Sequence, residues 1–212
     1  MRSTLPILFV AVTLFAITDN PKYLVTMNEV ERTQVEAGKV IMREVEPPVP
    51  EGQAYEVIGM VQSSGQTLFD ILTDYAAYPE FMSAVAGVEI LGETGKETTL
   101  NYTLTSILGL IKRYRINIRS AELRPGVWKV EWYLVEWPGL RPMETIADTR
   151  GHWLIQELDS DLTLLQYYVY SDPGFVPFGL RSVMNALARS GVKNAFIETR
   201  GRAQQKITTS SP

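Results

Sequence analysis

The side chains able to do chemistry are few and scattered. The chain has no cysteine and a single histidine, His152. That excludes disulfides, thiol catalysis, thiolate metal sites and a histidine-rich metal centre. No clustered Asp/Asn loop of the calcium-binding kind occurs. No Gly-x-Ser-x-Gly elbow is present, and His152 has no serine or cysteine partner in the sequence. GVEILGETGK carries its glycines at the wrong spacing for a phosphate loop. No catalytic residue, no metal and no cofactor are assigned on this reading. Glu144, Asp148 and Arg150 lie on or just before one strand pattern, where exposed cross-strand pairing outweighs a buried, poised acid. The tyrosines Tyr102, Tyr114 and Tyr167, with Glu144, could support general acid–base chemistry if a pocket gathers them.

The elements that would position these groups are legible from periodicity. TLNYTLTS alternates Leu100, Tyr102 and Leu104 with Asn101, Thr103 and Thr105. KRYRINIRS alternates Tyr114, Ile116 and Ile118 with Arg113, Arg115, Asn117 and Arg119. VWKVEWYLVEW alternates Val130, Trp132 and Leu134 with Lys129, Glu131 and Tyr133. Such alternation predicts an antiparallel sheet with one covered and one wet face. The arginine stripe then lies on the wet face, and His152, next to Trp153, points outward. Two further strands are expected in ETIADTRGHWLIQEL and LTLLQYYVYS. A short helix over 28–37 with Gly38 as its stop, a strand at 40–45 and a proline-rich connector at 46–53 precede a strand at 54–62.

In SSGQTLFDILTDY, Leu68, Ile71 and Leu72 fall at helical spacing, and Pro79 is expected to stop that helix with Tyr78 extended. After DPGF, a long helix carries Leu180, Val183, Met184, Leu187, Gly191 and Ala195 on one face. It is the long amphipathic element available to cover the sheet.

A net charge of −4 argues against a nucleic-acid partner. An apolar run from Leu5 to Ile17 follows Arg2; it is too short to span a bilayer comfortably and fits a signal-peptide core. The expected organisation is a signal peptide or N-terminal anchor at 1–18, a lead-in at 19–53, a ligand-binding domain at 54–206 and a flexible tail at 207–212. Export, with a periplasmic location or an inner-membrane anchor, follows from the first of these.

LFDILTDYAAYPEFM, RGHWLIQEL and SDPGFVPFGLRSVMNAL resemble the motifs of the START-like helix-grip superfamily. That group includes polyketide cyclases and coenzyme-Q-binding proteins, and the resemblance covers roughly residues 54–204. It implies an α+β fold in which an antiparallel sheet of about six to seven strands wraps a long C-terminal helix. It also implies an apolar tunnel between them for a lipid, isoprenoid quinone or similar molecule. The lining expected is Phe81, Tyr102, Leu104, Tyr114, Ile116, Ile118, Trp132, Leu134, Trp153, Leu165, Tyr167, Val169, Met184, Leu187 and Gly191, with Ala188 and Ala195 leaving space. The competing possibility is that these side chains close-pack into a solid core.

SILGLIK places Ile107, Leu108, Leu110 and Ile111 where a polar hairpin tip is expected. With Phe175 and Phe178 they form the expected gate. Three functions stay open: a carrier of a hydrophobic small molecule, a cyclase/aromatase- or hydrolase-type enzyme, and a membrane-contacting interaction module. Oligomeric state is not legible.

Overall fold

The structure is a computed structural model. It describes residues 22–105, 109 and 111–210, with 207–210 described by backbone only. Helix α1 (Glu29–Glu36) and strands β1 (Ile41–Val45) and β2 (Gln53–Gln62) lead in. They are followed by α2 (Gly65–Thr73), a 3₁₀ turn (Tyr75–Ala77) and α3 (Tyr78–Phe81). Six strands then run in succession: β3 (Val85–Thr94), β4 (Glu97–Leu104), β5 (Arg113–Arg124), β6 (Val127–Val135), β7 (Asp148–Asp159) and β8 (Leu162–Asp172). The last element is α4 (Arg181–Ser210). All eight strands form one sheet in the order β1-β2-β8-β7-β6-β5-β4-β3, every pairing antiparallel.

This is the helix-grip arrangement, with a strand more than expected. The extra one is β1: the lead-in continues the sheet as its edge by pairing Val45 with Ala54 and Ile41 with Ile58. Strand β2 is buried on both faces because Tyr23, Val25 and Val35 cover Ile58, Met60 and Leu164 on the outer side. Asn28 caps α1 through a reciprocal bond with Glu31, and Gly38, at φ 80°, turns the chain out of it.

The inner face carries the main core. Val57, Val61, Ile155 and Leu165 meet Leu68, Ile71 and Leu72 of α2 and Phe196 and Ala203 of α4. The apolar face expected on α4 is shifted. Leu180 precedes the helix and Val183 is exposed, whereas Phe196, Thr199 and Ala203 are fully buried. The helix is gripped by its C-terminal half.

The aromatic corner also differs from expectation. Helix α2 already ends at Thr73, and Pro79 sits in the first turn of α3. There its missing N–H is harmless and its fixed φ suits a helix start. Tyr78 is accordingly helical, at φ −54° and ψ −42°, not extended.

Candidate functional site: a cavity under the last helix

The inner face is filled unevenly. Toward the Ser63–Gly65 end, α2 and the C-terminal half of α4 pack directly on the sheet. At the other end, beneath the first turns of α4, a cavity of about 270 Å³ remains. Its sheet wall is Tyr102 and Leu104 of β4, Tyr114, Ile116 and Ile118 of β5, Val130 and Trp132 of β6, Trp153 of β7, and Tyr167 and Val169 of β8. Its roof is Met184, Leu187, Ala188, Gly191, Val192 and Ala195. Gly191 leaves open space where a Cβ would stand, with nothing within 4 Å. Ala188, Gly191 and Ala195 on this stretch leave the space between helix and sheet unfilled.

Three residues expected in the lining are elsewhere. Leu165 is fully buried in the solid core, where α2 and Phe196 leave no room. Leu134 is half-buried and packs on that core's margin. Phe81 lies behind Tyr78, edge-on to it at 5.7 Å, with the Arg202 guanidinium over its ring.

Aromatic rings order the wall. Trp153 and Tyr167 stack at 3.9 Å and 11°, Tyr102 and Tyr114 at 5.4 Å and 7°. Tyr78 stands edge-on to Tyr102 at 6.3 Å and donates its hydroxyl to the Leu72 carbonyl at 2.6 Å. The hydroxyls of Tyr102, Tyr114 and Tyr167 have no hydrogen-bond partner among the described residues. Among the described residues no enclosed side-chain polar atom lacks a partner, so these three phenols open onto the cavity. Burial pushes all three well above the ordinary tyrosine range. They are therefore protonated at neutral pH and act as donors.

One end of the cavity is closed by loops that hold one another. Thr105 N–H donates to the Ala84 carbonyl at 3.0 Å, Arg113 N–H to Glu144 at 2.8 Å, and Ala147 N–H to Asp172 at 3.0 Å. Lys112, Ile146, Thr149, Ser171 and Pro173 line the cavity there and were not expected to. Of the expected gate residues, Ile111, next to Lys112, and Phe175, whose carbonyl Lys112 holds, are exposed, and Phe178 is exposed completely. The other gate residues, Ile107, Leu108 and Leu110, lie outside the described residues.

The remaining candidate groups form no catalytic constellation. Glu144 is held by Arg141 at 3.0 Å and faces solvent, its carboxyl lowered to about 2 by those hydrogen bonds. Arg150 pairs with Asp148 of its own strand at 2.5 Å, not across strands. His152 is on the outer face, stacked on Tyr168 at 5.4 Å. Among the described residues no group of acids and histidine could hold a metal ion.

The sequence profile of the family described as polyketide cyclase / dehydrase and lipid transport matches residues 61–196. The chain belongs to that family. No curated protein matches the sequence at a significant level. Among solved structures, a STAR-related lipid transfer protein from Xanthomonas axonopodis matches with a TM-score of 0.66 at 16% identity, over 78% of this chain and 93% of that one. Human StAR-related lipid transfer protein 5 gives 0.64 at 16%, over 82% and 89%. The Zhui aromatase/cyclase from Streptomyces sp. R1128 gives 0.61 at 16%, over 79% and 96%. At such identities the likeness establishes the fold, which does not by itself decide the function.

Proposed function

We propose that the chain binds and carries a hydrophobic small molecule in the cavity between sheet and α4. The observation that carries this reading is a cavity walled by Ile116, Ile118, Trp132, Trp153 and Val169 and roofed by an α4 stretch that includes Ala188, Gly191 and Ala195. A few convergent polar groups set in an apolar enclosure are the usual anatomy of a small-molecule site. Ligands of the lipid or isoprenoid kind match its walls, and the exposed Ile111, Phe175 and Phe178 give a rim suited to collecting them from a membrane surface. Export of the chain, through residues 1–18 as signal peptide or anchor, belongs to the same proposal. N-terminal sequencing of the protein from fractionated cells tests it.

A second reading, catalysis of the cyclase kind, draws support from the three unpartnered phenols. Donors in a dry enclosure could hold and polarise carbonyl oxygens. It requires Tyr102→Phe or Tyr167→Phe to abolish turnover of a polyketone while leaving its binding measurable; no turnover by the unaltered protein sinks it.

Titration with an uncharged fluorescent lipid separates carrier from empty core. The expected result is saturable binding that Gly191→Leu, filling the roof, weakens at least tenfold with folding unchanged. Equal binding by both proteins would place the ligand elsewhere and contradict the proposal.

A further inference from the structure

Among the described residues, the cavity lining holds one basic side chain, Lys112, and one acidic one, Glu198. Lys112 is only 5% exposed. Its Nζ donates to three main-chain carbonyls, Thr145 at 2.6 Å, Phe175 at 3.1 Å and Pro173 at 3.3 Å. No carboxylate pairs with it among the described residues. Glu198 instead accepts from the Ser83 N–H at 3.1 Å. Burying an ammonium is costly, and carbonyl dipoles hold it without neutralising it. Burial accordingly draws the Lys112 pKa below its ordinary value, with no opposing charge to raise it. The other free polar groups on the wall, the phenols of Tyr102, Tyr114 and Tyr167, are donors too. Lys112 is thus short of the one negative charge that would pair it, Glu198 being engaged with the Ser83 N–H.

We propose that the occupant supplies that charge: a single-chain amphiphile with a carboxylate end, its head beside Lys112 and its tail along Ile116, Ile118 and Trp153. This inference rests on the carrier reading and narrows it. One ammonium matches one carboxylate, whereas a phosphate dianion would want a fork of donors such as arginine provides. A cavity of about 270 Å³ is at the small end of ligand sites and suits one chain. The head displaces the longest of the three Lys112 bonds, to Pro173, so that binding trades a carbonyl dipole for a full charge.

The test is a binding titration of the full chain with cis-parinaric acid and with its methyl ester, which differ in charge and hardly in shape. The unaltered protein should bind the acid at least tenfold more tightly than the ester. Lys112→Met should bring the affinity for the acid down to that for the ester, while Lys112→Arg should keep the preference. Equal affinities for acid and ester in the unaltered protein overturn the inference alone, a result that needs no variant to fold. Failure to bind either probe overturns the carrier reading and the inference with it.

Discussion

At the scale of the residue, Lys112 is the instructive case. It falls on the parity of Tyr114, Ile116 and Ile118, so alternation carried one residue further back already directs it inward. Grouped with the apolar SILGLIK run, it reads as the end of a gate instead. Thr149 and Ser171 share the inward parity of Trp153 and Tyr167 in the same way. Alternation names a face but not the depth at which a covering helix fills it, which is why Leu165 and Leu134 follow the pattern yet miss the cavity. Gly151, also of inward parity, has a hidden constraint: a Cβ there would come within 2.3 Å of the Tyr168 carbonyl and 2.4 Å of the Trp132 ring. Gly151→Ala should therefore destabilise by about 1–3 kcal/mol, read as a lower urea midpoint. An unchanged midpoint would contradict this, since it would require both the β8 backbone at Tyr168 and the Trp132 ring to give way without cost. His152, on the outer face, makes a pH prediction. Burial lowers its pKa below the ordinary value of 6.5, Lys129 adding to the effect. Below pH 6.5 the unfolded chain then holds more protons than the folded one, so stability is full above that value and declines as the pH falls through it. His152→Gln should flatten the change in urea midpoint between pH 7.5 and 5.5; an unaltered slope would contradict it.

At the scale of the element, the lead-in is a working part of the sheet. Arg43 of β1 bonds Glu31 of α1 at 3.0 Å, the Thr26 carbonyl at 2.8 Å and the Glu56 carboxylate, and Glu56 accepts from Gln166 as well. Glu56 is buried, so Arg43→Ala leaves its charge with only an amide for company. A loss of about 1–3 kcal/mol is expected, moderated because Arg43 itself is part-exposed. Chemical denaturation measures it, and a loss below about 0.5 kcal/mol would show the network to be ornamental. The sequence marked this helix and strand correctly, since caps and alternation are local signals. It was silent on their docking, because the partners, Leu164 and Gln156, lie more than a hundred residues away. The aromatic corner fails for a different reason. Proline is a signal both for ending a helix and for opening one, and only the turn at Tyr75–Ala77 selects the second.

At the scale of the whole molecule, the fold divides the inner face between structure and use. Phe196, Ala203 and α2 fill one end and fix α4 there. The first turns of α4 meet the sheet across open space, which Ala188, Gly191 and Ala195 of its roof leave unfilled. Phe175, whose carbonyl Lys112 holds, and Phe178 are exposed. A close-packed protein would bury such rings and fill such a gap. Topology was readable because order, alternation and one long amphipathic helix admit few arrangements. A cavity is a deficit of volume, and no local pattern encodes that. The central claim, that this space is a ligand site, is tested most directly by native mass spectrometry of the purified full chain against its denatured mass. The account predicts a discrete excess mass that extracts into organic solvent and is lost in Gly191→Leu. A native mass equal to the denatured one, in protein that also rejects added lipid, would contradict it.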